Sequence, residues 1–327
     1  MVSGTKPRGS AWIALASLLW STDTFFRKPL TDQGIASTAI AFFEHIFSAV
    51  VSLPLAWRQL PIVKTFDRRD WISLLFIGAG GSALGLVLFT QSFVYGNPTV
   101  SILMQKLQPV IAVILASVIL GEGITKRFAV MGAVAFLASY FLAFGDATYG
   151  APLVDLLQPG TWLTPMGSLD SAAAAAATLA LGAAFFWGGS TVFGRRLAAR
   201  YEYHVVTSLR LLVGLAFLAI IITVTMPPLP FHELPRLLFL GTIIGYLPLY
   251  LYYRGLRATK AQVATFAELV WPLSAVTINW IVLGLALTAT QIIAAAVLIA
   301  TIAFMSKERV KQPLSARPGS PASEVLA

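Results

Sequence analysis

The sequence predicts an all-α polytopic membrane protein, with ten transmembrane helices in a 5+5 inverted repeat and both termini cytoplasmic. Three observations carry this: too little charge for a soluble surface, ten apolar runs of membrane-crossing length, and a second half that echoes the first. Of 327 residues, 57% are hydrophobic and 11% charged, where a soluble domain carries about 25% charged residues. The net charge of +9 would suggest nucleic acid in a soluble chain, but its distribution argues for orientation in a lipid bilayer instead. With no cysteine, a disulfide framework or a thiolate metal site is excluded, and no cofactor is called for.

A bilayer-crossing helix needs about 20 mostly apolar residues. Runs of that kind fall at 11–30, 37–57, 71–95, 98–119, 126–145, 172–194, 204–226, 234–256, 261–284 and 287–305. They are too long and continuous for the alternating strands of a membrane barrel, and lipid obliges each backbone amide to bond within its own helix. The first run follows Lys6 and Arg8, like a signal peptide, but Asp23 interrupts it and no small-residue cleavage site follows. It reads as a retained span.

Most of the 23 Lys and Arg residues fall in the loops that an inside N-terminus makes cytoplasmic, leaving only Arg27, Lys28 and Arg236 outside. The long connection 146–171 has no Lys or Arg but carries Asp146, Asp155 and Asp170, as an external loop would. The organisation is then 1–145 as the first five-helix repeat, 146–171 as the external loop, 172–305 as the second repeat, and 306–327 as a disordered cytoplasmic tail.

The halves match in order and at nearly constant offset. Trp20, Thr24, Phe26, Lys28 and Leu30 correspond to Trp187, Thr191, Phe193, Arg195 and Leu197. Leu74-Leu75-Phe76-Ile77-Gly78 corresponds to Leu237-Leu238-Phe239-Leu240-Gly241, and Gln108-Pro109 to Trp271-Pro272. Five spans per half is odd, so the second half enters the membrane from the other side. Such a pair of halves has two nearly equivalent shapes, one open to each face.

Trp20-Ser21-Thr22-Asp23, the Pro-bearing fourth and ninth runs, and Leu120-Gly121-Glu122-Gly123-Ile124-Thr125 together resemble the drug/metabolite transporter superfamily, its EamA-like family in particular. The resemblance spans about 11–305. It implies ten spans, a central cavity, and export of amino acids or other small polar metabolites across a cell membrane. The second half departs from the motif, with Gly284-Leu285-Ala286-Leu287-Thr288 lacking the acidic residue. Glu122 therefore reads as an anchor at a helix end.

Charges at bilayer depth are costly and mark function by default. Five remain inside the runs: Asp23, Glu44 and Glu268 against Lys106 and Arg210, with His45 as a titratable neighbour. Glu44 lies at or beside the position matching Arg210, and Gln105 matches Glu268. Opposite charges at related positions would gather both ends of a zwitterion such as an amino acid. Proton coupling would fall to Asp23 or Glu268, since a carboxyl group in low dielectric takes up a proton more readily.

Helical spacing places Trp20, Asp23, Thr24 and Arg27 on one stripe, Trp187 and Thr191 on another, and Gln105 and Trp271 on the stripes of the fourth and ninth runs. Pro109 and Pro272 each free a carbonyl one turn earlier and serve as hinges. The substrate is expected among the first, fourth, sixth and ninth helices, with Tyr250 near the cytoplasmic end. Gly78-x-x-x-Ser82 and Gly241-x-x-x-Gly245 read as close packing within each half, in a monomer or homodimer. An integral membrane enzyme is the alternative, but no catalytic or metal-spaced set supports it, and no phosphate-binding Gly-rich loop suggests ATP drive.

Overall fold

A computed structural model describes residues 8–120, 123–144, 171–257 and 267–305. Glu122, the tail 306–327 and all of the expected external loop except Ser171 lie outside the described residues. Among the described residues there is no strand, and seven helices are long and apolar enough to cross a membrane, joined by the shorter apolar helices Val270–Leu283 and Ala289–Met305.

The helical rods are α1 (8–32), α2 (Ser37–Ala56), α3 (68–95), α4 (98–120), α5 (Lys126–Phe144), α6 (Ser171–Arg200), α7 (Tyr203–Thr225), α8 (234–257), α9 (Val270–Leu283) and α10 (Ala289–Met305). Local chemistry sets their limits. Asp67 accepts the Asp70 amide in a capping box that starts α3. Asn97 caps α4, where Pro98 fills the first turn at no loss of a backbone bond. Gly284, at φ 66°, stops α9 in a left-handed turn.

Several rods are interrupted. In α1 the Ser21 and Thr22 hydroxyls donate back to the Leu18 and Leu19 carbonyls at 2.6 and 2.7 Å, competing with the helix ladder. The helix breaks there, between Arg8–Ser21 and Asp23–Asp32. In α4 a 3-10 turn, Gln105–Leu107, sits one turn before Pro109. The stretches Phe76–Leu84 of α3 and Leu240–Tyr246 of α8 are π-helical, a form that often accompanies functional sites.

Helix α3 packs on α6 and α7, and α4 packs on α6; correspondingly, α8 packs on α1 and α2, and α9 on α1. Helix α2 lies against α7, and α5 against α10. The chain thus forms two three-helix bundles, α3-α4-α6 and α1-α8-α9, flanked by α2–α7 and α5–α10.

The glycine motifs serve a different contact from the one expected. A Cβ on Gly78 would meet Val213 at 2.6 Å and the Arg210 carbonyl at 3.1 Å, both in α7. One on Gly241 would meet the Glu44 carbonyl and Phe47 of α2 at 2.7 Å. Both motifs therefore pack across the halves and not within them. A small-residue stripe shows that some backbone approaches closely, but not which one.

Where the α6–α7 turn meets the start of α3, Arg196 and Arg200 bind Asp67 and Asp70, and the Tyr201 hydroxyl donates to Asp70 at 2.8 Å. The Asp70 backbone N–H, followed by the Arg200 guanidinium, holds the Asp67 carboxyl below its ordinary value. A depressed folded pKa gives stability that is present above the unfolded value of about 3.9 and lost as pH falls through the folded one. Thermal unfolding of purified protein is therefore expected to show this network's contribution unchanged from pH 8 to 5 and declining below about pH 4, with a smaller decline in Asp67→Asn, where Asp70 alone remains to be protonated. The same acid profile in both proteins would contradict this assignment.

Candidate functional site

The predicted charges do not form a single cluster. Arg27, which loop counting placed outside, is instead 1% exposed and sits at the centre of a triad. Its guanidinium grips Asp23 through Nε at 2.7 Å and Nη2 at 2.6 Å, reaches Glu44 on α2 at 2.8 Å, and donates to Thr90 on α3 at 3.0 Å. The reason for the difference is helix length: α1 continues to Asp32, so Arg27 lies more than a turn inside its end. Lys28 points away and pairs with Asp32. Thr24 is wholly buried beside the triad on the same helix.

Glu44 spends one oxygen on Arg27, and its other oxygen, Oε1, is the atom a Cβ on Gly245 would meet at 3.2 Å. With His45, Ser82, Trp187 and Arg210 it lines a cavity of about 100 Å³. Arg210 donates from Nε to Ser82 at 2.8 Å, and no carboxylate forms an ion pair with it among the described residues. His45 gives Nδ1 to the Ala41 carbonyl at 2.9 Å, while its buried Nε2 has no partner among the described residues. This cavity lies among α2, α3, α6, α7 and α8, not among the four helices expected. A larger hollow of about 390 Å³ beside Pro61, Ile62 and Tyr201 contains none of the predicted site residues.

The other predicted residues gather where α1, α4, α8 and α9 meet. Trp20 lies 6.2 Å from Trp271 and 5.7 Å from Tyr252, ring to ring. The Lys106 ammonium sits 4.2 Å over the Trp271 ring, a cation–π contact. Tyr252 donates to Glu268 at 2.7 Å. Pro272 follows Trp271 directly, so the expected hinge position and the aromatic wall share one turn. Trp187, whose Nε1 donates to the Gly81 carbonyl at 2.8 Å, packs in the same apolar cluster as Trp271, with Phe89 and Ala275. It thereby touches both that apolar cluster and the charged cavity.

Three predicted residues stand apart. Gln105 is 1% exposed, and neither of its amide atoms has a partner among the described residues. Thr191 is exposed and returns its hydroxyl to the Trp187 carbonyl at 3.2 Å. Tyr250 lies between Tyr203 and Tyr246 in a row of tilted tyrosine rings that runs on through Tyr253 to Tyr252. The sequence reading missed Ser82, Thr90, Tyr252 and Asn279. Tyr252 lies two positions beyond Tyr250, the tyrosine that the sequence reading singled out. Asn279, wholly buried, binds Thr99 at 3.0 Å, and a lone Asn in an apolar run was the available signal.

Apolar helices packed around sealed charges, an aromatic wall and breaks at depth define a multi-pass membrane protein of the transporter class. The chain belongs to the EamA-like transporter family, which matches residues 7–144 and 174–307. It is also similar to the riboflavin transporter ImpX of Fusobacterium nucleatum subsp. nucleatum, at 27% identity over 315 residues, covering 92% of this chain and 98% of that protein. One solved crystal structure shares the fold, with a TM-score of 0.57 at 17% identity, covering 94% of this chain and 99% of the other. Membership in a transporter family answers the membrane-enzyme alternative.

Proposed function

We propose that this protein moves a planar heteroaromatic metabolite across the cytoplasmic membrane by alternating access, as ten spans in a 5+5 inverted repeat. The observation that carries the substrate class is the wall of Trp20, Trp271 and Tyr252 around Lys106, set beside a cavity of buried charge. Aromatic faces of this kind stack planar rings, and the name of the Fusobacterium relative specifies riboflavin for that protein.

Two further facts support the repeat. The family matches the chain twice, once in each half. Contacts also recur with the halves exchanged: Gly241 lies against the Glu44 carbonyl as Gly78 lies against the Arg210 carbonyl. Reciprocity of this kind is what a two-fold relation produces. Rocking of α3-α4-α6 against α1-α8-α9, hinged near Pro109 and Pro272, would then open each face in turn.

An amino acid is the second reading, favoured by Glu44 and Arg210 lining one cavity. Arg27 is shared between Asp23 and Glu44, so the triad keeps one negative charge in excess, which Arg210 across the cavity offsets. Export is the direction that the family resemblance implied, and Glu268 is the carboxyl group proposed to take a coupling proton.

Counterflow in proteoliposomes preloaded with riboflavin or with mixed amino acids, with and without a pH gradient, tests these readings. Riboflavin exchange is expected, falling about tenfold in Trp20→Ala as stacking worth 1–3 kcal/mol is lost. Acceleration by the gradient that disappears in Glu268→Gln would support proton coupling. Amino acid exchange alone would favour the second reading, and no exchange from folded protein would refute both.

A further inference from the structure

We propose that the cavity beside Glu44, His45, Ser82, Trp187 and Arg210 holds an uncharged polyhydroxyl tail of the ligand whose ring stacks on Trp20 and Trp271. The inference rests on the planar-ring reading of the aromatic wall and adds the second half of the substrate. Trp187 lines the cavity, and both it and Trp271 pack against the apolar cluster of Phe89, Phe93 and Ala275, so one cluster of side chains lies between the ring position and the tail position.

Size, polarity and charge agree on the tail. A volume of about 100 Å³ has room for several waters but not for a fused tricyclic ring. The groups facing it alternate in character. Arg210 offers N–H donors beyond the one given to Ser82, and Glu44 offers the oxygen not used by Arg27. The His45 ring nitrogen Nε2 is unpartnered among the described residues and 3% of the residue is exposed. A hydroxyl both donates and accepts, so a chain of hydroxyls satisfies such a lining, whereas a hydrocarbon chain would leave buried polar atoms unmet.

Glu44 and Arg210 line the cavity, and with Asp23 and Arg27 bound behind Glu44 the four charges balance. A phosphate-bearing tail would bring uncompensated negative charge to membrane depth, which is costly. The preferred tail is therefore neutral.

The test measures quenching of flavin fluorescence by purified protein with three probes: riboflavin, lumiflavin (a methyl in place of the polyol) and flavin mononucleotide. Wild type is expected to bind riboflavin more tightly than either of the others. Arg210→Gln is expected to weaken riboflavin about tenfold, equivalent to 1.4 kcal/mol, and to leave lumiflavin unchanged. Ser82→Ala, a smaller change with the same fold, should move the probes in the same direction by less. Equal loss for riboflavin and lumiflavin, or tighter binding of the mononucleotide, overturns the tail assignment while the ring reading stands. Failure of wild type to bind either riboflavin or lumiflavin overturns the ring reading, and the tail assignment with it.

Discussion

Arg27→Met is expected to destabilise the folded protein by about 3–5 kcal/mol, the cost of leaving buried carboxylates without their partner. Asp23 and Glu44 both depend on this one guanidinium, at 2.6 and 2.8 Å. Thr90 receives its third contact, so the same side chain also ties α1 and α2 to α3. Methionine matches much of the volume and none of the charge. Two carboxylates would then face each other at membrane depth with no cation between them.

The triple variant Asp23→Asn, Glu44→Gln, Arg27→Met isolates the cause. Removing all three charges removes the electrostatic penalty, and buried ion triads replaced as a unit are often close to neutral in stability. Thermal unfolding in detergent is thus expected to show a deep loss in the single variant and recovery of most of it in the triple. A single variant as stable as wild type would mean that the triad does not hold these helices together. A triple variant no better than the single would assign the loss to packing, not charge.

The all-helical membrane character was legible because lipid imposes a strong rule: long apolar runs must be helices. The polar site was legible only by residue type. Asp23, Glu44 and Arg210 stood out because charge in an apolar run is rare; spacing put Arg27 on the stripe of Asp23, but the partners of Glu44 and Arg210 on other helices did not follow from it. Arg27 was read as a surface charge because the end of α1 was placed too early, and two residues were enough to change its assignment. The glycine stripes at Gly78 and Gly241 announced close contact, while the choice of partner helix depends on tertiary packing that one sequence does not encode locally. The π-helical stretches Phe76–Leu84 and Leu240–Tyr246 left no signal beyond those same glycines. Asn279 is marked by its one bond to Thr99 and Tyr252 by contacts to other elements, and such contacts leave no periodic trace.

The second large effect concerns the end of the bundle where α4 begins and α9 ends. Asn279 of α9 donates to Thr99 of α4 at 3.0 Å, and Asn97 donates to the Ala286 carbonyl at 3.2 Å. These bonds join one three-helix bundle to the other. Counting from Pro109 and Pro272, Asn279 corresponds to Ala116, which is buried and carries no amide. In the proposed repeat, Ala116 therefore cannot make this bond at the matching position. If the bundles part here during transport, a covalent link between Asn97→Cys and Ala286→Cys should abolish counterflow, and dithiothreitol should restore it. The absence of native cysteine leaves no competing thiol, so each single-cysteine variant serves as its own control under oxidation. A cross-linked protein that still exchanges substrate at the wild-type rate would show that this end never opens, and rocking of the two bundles would have to be abandoned as the mechanism.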